Sequence, residues 1–221
     1  MPNPAQLLHA RFLAWRGPNN AHAFQVRGLD GNNWEDHELA LRHLRDIDEL
    51  LRLLESQGRN MRVYREALPT WYQIVFAFDR GWKGNETATI DQRLLDTLEM
   101  LAERLEDVVP TLEDGGLAAI TEYLDDVSEV LTADTSLPAA LRAHVNDVIN
   151  HVRWCVDNYS IVGDFSLQDA LERLAGAVVR AAANSSEKSK WKTIVNNLVW
   201  PFAVNIMAAL PAAQVVALVA S

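Results

Sequence analysis

The sequence predicts an all-α protein: a multi-helix bundle of about seven to nine helices with an apolar C-terminal helical segment. Three observations carry this. Leu, Ile and Val recur at spacings of three and four over most of the chain. Proline and glycine punctuate those runs at intervals that suit helices. No alternating run has a second strand to pair with. The 49% apolar and 23% charged shares are those of a globular chain. We read residues 1–221 as one helical domain in which 191–221 is an apolar segment that either docks in the core or engages a membrane.

A short first helix is bracketed by Pro4 and by Gly17-Pro18. GPNNAHAFQVRGLDGNN then reads as loop, dense in Gly, Asn and Asp. Asn33 is placed to cap the next helix, with Glu35 and Asp36 in its first turn. Its stripe is Leu41, Leu44, Ile47, Leu51 and Leu54, and Gly58 is a suitable left-handed stop. Pro69 predicts a break between a short helix and an aromatic one carrying Trp71, Tyr72, Phe76, Phe78 and Trp82.

From Ile90 the stripe runs Leu94, Leu98, Leu101, Leu105 and Val108, and Pro110 ends it. Another helix carries Leu117, Ile120, Leu124, Val127 and Leu131. Leu137-Pro138 opens a third, striped by Leu141, Val145, Val148, Ile149, Val152 and Val156. VGDF is a turn, and Ser166 with Asp169 three residues on predicts a serine cap for the helix through Leu171, Leu174 and Val178. NSSEKSK, 184–190, reads as a turn or as the first turn of the last helical segment.

The net charge of −10 is concentrated. Residues 85–136 hold 14 acids against Arg93 and Arg104, whereas the flanking stretches are near neutrality. Such a chain repels phosphates, so nucleic acid is excluded as a partner. We read the acids as a solvated helical face, with docking of a basic protein partner as the alternative. Cys155 is the only cysteine and sits on an apolar stripe, so it is expected to be a buried core residue. The opening MPNPAQLLHARFLAW is broken by His9 and Arg11 and does not read as a secretory signal, which predicts a cytoplasmic location.

Chemistry-bearing motifs are sparse. The glycines of RGLDGNN and GWKGN are spaced for turns, with no strand before them, and no Glu-x-x-His pair occurs. The sequence therefore predicts no enzyme and no cofactor. His144, Asp147 and His151 share a helix face and are the candidates for a metal site. His144 and His151 lie roughly 10 Å apart along the axis, too far to share one ion unaided. His37 and His43, six residues apart, are read as facing different sides of their helix.

The most distinctive stretch is LVWPFAVNIMAALPAAQVVALVA, 198–220, and no charged residue or histidine follows Lys192. As a helix its 23 residues reach roughly 34 Å, enough for a ~30 Å hydrocarbon core. Lys188, Lys190 and Lys192 precede it, and Trp191 and Trp200 stand where a membrane interface places indoles. Against a span, Pro201 and Pro211 cut the run, seven of its residues are alanine, and Asn205 wants a partner. The expected membrane or partner contacts are Lys188, Lys190, Trp191, Lys192, Leu198, Trp200, Pro201, Phe202, Ile206, Leu210, Val215 and Leu218.

Residues 137–179, LPAALRAHVNDVINHVRWCVDNYSIVGDFSLQDALERLAGAVV, resemble a module of uncharacterised bacterial helical proteins of unknown function. The shared order is Leu-Pro, an amphipathic helix with an aromatic end, a glycine turn and a second amphipathic helix. The resemblance implies a bacterial source and no activity. Two functions follow from the whole reading. One is a non-enzymatic bacterial protein whose C-terminal segment engages a membrane, as an effector of a toxin or phage-defence module would. It would be cytoplasmic, peripheral to the inner membrane or inserted in it by its C-terminus. The other is a cytoplasmic adaptor or regulator, with the tail as core and residues 85–136 as the docking face for a protein partner or a second copy.

Overall fold

The computed structural model describes residues 2–18, 21–28, 33–76, 89–198 and 200–202, and among them every regular element is a helix. The chain gathers into two compact units, Pro2–Asp107 and Val108–Ser221. The sequence does not announce that division, because Val108, Val109 and Pro110 at the junction are apolar, buried and unlike a linker.

The first unit contains α1 (Pro4–Trp15), α2 (Ala23–Arg27), α3 (Asn33–Ser56), α4 (Arg62–Phe76) and α5 (Gln92–Glu106). Asn3 caps α1, its side chain accepting from the N–H groups of Ala5 and Gln6 while Gln6 accepts from the Asn3 N–H. α3 stops as expected at Gly58, whose φ is 79°. The N–H groups of Gly58 and Arg59 bond back to Glu55 and Leu54, closing a Schellman turn. α1 packs on α3 and α5, and α4 on the same two, so four helices close a ring around Leu8, Phe12, Leu44, Leu51, Trp71, Leu95 and Leu98.

Two expectations fail here. AFQVR is not loop: it forms one helical turn, α2, opened by the Gln25 side chain accepting from the His22 N–H. Pro69 does not divide two helices, for α4 runs through it. The apolar residues Tyr64, Leu68, Trp71 and Val75, all buried, hold one continuous face, and that packing outweighs the carbonyl bond lost at proline. Phe78 and Trp82 lie outside the described residues.

The second unit contains α6 (Gly116–Ala133), α7 (Ala139–Asp157), α8 (Tyr159–Asn184) and α9 (Lys188–Asn196). α7 packs between α6 and α8, and α9 between α8 and α6, closing a second four-helix ring. Its core includes Leu124, Val127, Val145, Ile149, Val152, Leu171, Leu174 and Val178, with the expected Cys155 fully buried among them. α8 is bent at Gly163, which has φ 76° and ψ 178°. That is where VGDF predicts a turn, but the helix resumes at once. Ser166 therefore lies inside α8 and does not cap it.

Gly163 occupies backbone space that is essentially closed to side chains. Gly163→Ala is expected to lower unfolding stability by about 1–3 kcal/mol. Pro69→Ala should act the other way. An interior helical proline costs about 3 kcal/mol, and loosening the unfolded chain returns less than about 1 of that, so a gain of about 2 kcal/mol is expected in urea denaturation.

Candidate functional site

Residues 191–202 lead into the apolar run, and this lead-in is built into the second bundle. Trp191 is fully buried, Phe202 is 2% exposed, and Leu198 and Trp200 pack against the same core from partly buried positions. Two buried aspartates organise the docking, one at each end.

Asp134 is the first. α6 ends one residue earlier, and the Asp134 N–H closes on the Val130 carbonyl at 3.0 Å. The chain then turns, and Asp134 Oδ1 accepts from the Ser136 N–H at 2.8 Å and the Ser136 hydroxyl at 2.6 Å. Oδ2 faces the turn before α9, accepting from the Ser185 hydroxyl at 2.5 Å and the Trp191 indole N–H at 2.8 Å. Ser185 and Ser136 in turn accept from the N–H groups of Glu187 and Ser186, at 2.8 and 3.0 Å. The carboxylate is fully buried. Burial alone raises its pKa, but the hydrogen bonds from Ser136, Ser185 and Trp191 together outweigh that and hold it well below the usual carboxylate range. Four donors occupy its four acceptor positions, so Asp134 fastens and has no lone pair left for a substrate.

Asp164 is the second, immediately after the Gly163 bend. Its Oδ1 accepts from the Tyr159 hydroxyl and from the Leu112 N–H at 3.3 Å, which fixes the loop before α6. That loop receives the end of the lead-in. Leu112 pairs antiparallel with Phe202, and the Glu113 N–H donates to the Pro201 carbonyl at 2.8 Å. Gly116 leaves the space this needs. A Cβ there would stand 2.8 Å from Leu112 Cδ1 and 3.1 Å from Pro201 Cβ. Between the two ends, the Tyr123 hydroxyl donates to the Ile194 carbonyl at 3.2 Å. Burial raises the phenol pKa of Tyr123, with the Asp126 charge adding to it. Burial does the same for Tyr159, with Asp164 adding. Both therefore remain donors through the physiological range.

Sequence reasoning counted Asp134 among solvated acids and left Asp164 in a turn; both are buried. The sequence signal for the first is ADTSLP, an Asp followed two residues on by Ser, which marks an Asx turn but not its burial. Trp191, expected as an interfacial indole, instead points inward, because its N–H has a buried acceptor in Asp134. Lys188, Lys190 and Lys192 are exposed on the outer face of α9, Lys190 paired with Glu187 at 3.3 Å. Pro201 is buried with Phe202. Ile206, Leu210, Val215 and Leu218 lie outside the described residues.

The metal candidates do not converge. His144 and Asp147 are exposed, while His151 stacks on Trp154 and approaches Cys155 Sγ at 3.9 Å. Among the described residues no group of three or more His, Cys, Asp or Glu is placed to hold a metal ion. In the first unit His37 and His43 are both buried. His37 lies between two carbonyls, Arg27 at 2.7 Å and Val75 at 3.1 Å, and stacks on Trp15 at 4.5 Å. Burial lowers its pKa against the opposing pull of those carbonyls. The acidic segment 85–136 falls across the unit boundary, with the acids of α5 in the first unit and those of α6 in the second.

No protein-family model matches the chain, and no curated protein or solved structure matches it.

Asp134→Asn leaves one acceptor oxygen where two are used and turns an N–H₂ toward donors. We expect a loss of about 3 kcal/mol in chemical denaturation. The pH dependence follows from the depressed pKa. Asp134 stabilises the fold fully above the unfolded value of about 3.9 and loses that contribution progressively as pH falls from there to its lower folded value. Between pH 5 and 8 the difference in stability between native protein and Asp134→Asn should stay constant, and it should shrink below about pH 4.

Proposed function

We propose that this is a non-enzymatic bacterial helical protein whose apolar C-terminal segment is restrained at rest by the second bundle and engages a membrane once freed. Such a design suits an effector of a toxin or phage-defence module. The observation that carries it is the docking of the lead-in: Trp191 and Phe202 are buried and the Pro201 carbonyl is held by the Glu113 N–H, directly before the uncharged stretch. Among the described residues no helix is long and apolar enough to cross a membrane. Membrane engagement in this reading therefore belongs to the residues after Phe202, with Lys188, Lys190 and Lys192 available to anionic headgroups from the outer face of α9.

The burial of Pro201 and Phe202 also supports a second reading, in which the tail continues as core and the protein is a cytoplasmic adaptor. Its docking face would then be drawn from the acids of segment 85–136, those of α5 in the first unit and those of α6 in the second.

Truncation separates the readings, provided the cut respects the bundle. A chain ending at Lys190 lacks Trp191, Ile194 and Phe202, three buried side chains worth roughly 2 kcal/mol or more each, and is expected to unfold under either reading. A chain ending at Phe202 keeps every described residue. Under the membrane reading it should retain the helical circular dichroism and melting temperature of the full chain within a few degrees. It should also fail to float with anionic liposomes under conditions where the full chain does. Unfolding of the 1–202 chain would establish the tail as core and end the membrane reading.

A further inference from the structure

We propose that the lead-in opens from its C-terminal end, residues 198–202 peeling away while α9 stays locked in the four-helix ring, so that the tail can be freed without unfolding the body. This deepens the restrained-tail reading and rests on it for its purpose, though the order of opening is a property of the fold alone.

The three fastenings along the lead-in are unequal. At its start, Ser185 and Trp191 supply two of the four donors to a fully buried carboxylate, and two further amide N–H groups complete the cluster. Withdrawing them strands a charge where water does not reach, the most unfavourable way for a bundle to open. In the middle, Tyr123 holds the last turn of α9 through the Ile194 carbonyl, and Trp191 and Ile194 fill the core.

The far end is held differently. Among the described residues one backbone hydrogen bond, Glu113 N–H to the Pro201 carbonyl, joins it to the loop within the Leu112–Phe202 antiparallel pairing, and apolar burial of Pro201 and Phe202 adds to it. On opening, that amide and that carbonyl both re-pair with water, so no polar group is orphaned. The receiving loop keeps its own anchor, because Asp164 holds the Leu112 N–H independently of Phe202. The dock therefore remains formed and can close again. The exposed surface is apolar and continuous in sequence with the uncharged run beyond it, so an apolar surface nearby favours the open state by mass action.

Sub-global opening of this kind is read by amide hydrogen exchange. In the full-length protein, without lipid, the Glu113 amide reports the far end, and the amides of Ser136 and Glu187 report the Asp134 cluster. We expect Glu113 to be protected at least about tenfold less than the other two. Gly116→Ala, which crowds Leu112 and Pro201, should lower Glu113 protection by a further factor of about ten while leaving Ser136 and Glu187 within about twofold. Trp191→Phe should lower protection at Ser136 and Glu187, confirming what those amides report. Equal protection at the three amides in the native protein would overturn the proposal, as would a Gly116→Ala chain in which all three loosen together. Because no lipid is present, these outcomes stand apart from failure of the membrane reading, which liposome flotation tests.

Discussion

A carboxylate removed from water must be met by donors on every side, and in the second unit that requirement falls on Asp134. Its neighbours come from three places in the chain: its own turn through Ser136, the turn before α9 through Ser185, and α9 itself through Trp191. The end of α6, the start of α7 and the start of α9 are thereby brought to one point. Arg142 tightens it from α7, donating to the Asp134 carbonyl at 2.9 Å. Leucines alone would allow α9 to slide along the groove between α6 and α8 with little change in buried area. A cluster with four directional bonds to one buried charge admits a single register. Buried polar groups do not in general add stability over apolar ones, but they penalise every arrangement that leaves them unmatched. Asp134 thus selects the register, and apolar burial supplies the driving force.

The first unit solves the same problem with neutral and histidine chemistry. Asn3 caps α1 and also donates from Nδ2 to the Ala102 carbonyl of α5 at 2.8 Å. Trp71 donates from its indole to the Leu94 carbonyl at 3.2 Å, and His37 lies between the carbonyls of Arg27 and Val75. Each contact ties one helix to another, and the Asn3–Ala102 bond joins the first helix of the unit to its last. Arg65 adds a partly exposed node on the flank, bridging Asp48 and Glu55 of α3. In both units the ring is closed by apolar stripes, and its register is set by a few polar side chains that reach across.

This division of labour explains what the sequence discloses. The stripes Leu94–Leu98–Leu101–Leu105 and Ile120–Leu124–Val127–Leu131 are local and periodic, so α5 and α6 are read directly, as is the Gly58 stop of α3. Pro69 misleads because a local rule, that proline ends a helix, is overridden by the packing of Leu68 and Trp71 on either side of it. The division at Val108 is invisible because Val108, Val109 and Pro110 are apolar and buried, unlike a linker. Asp134 and Asp164 are hardest of all. Nothing in a string of 14 acids distinguishes the one that is buried, for that is decided by Ser185 and Trp191, 51 and 57 residues downstream. Periodicity reports which face a helix buries, and it carries no information on which polar group finds a distant partner.

The same consideration sharpens the apolar run. A hydrophobic stretch records only that its residues prefer to leave water; a lipid acyl chain and a leucine core satisfy it equally. What distinguishes the two is the directional chemistry at its boundary. An interfacial tryptophan turns its N–H toward water and headgroups, whereas the Trp191 N–H turns toward a buried carboxylate. A segment committed to lipid has no use for a paired backbone carbonyl at Pro201, nor for a glycine notch at position 116 to admit the proline ring. Up to Phe202, then, the chain is shaped for protein. Beyond it the sequence offers Asn205 and Gln214 as its only strongly polar side chains, too few to set a register in the way Asp134 does. A segment fastened by specific bonds therefore adjoins one whose sequence carries little besides apolar preference to direct it.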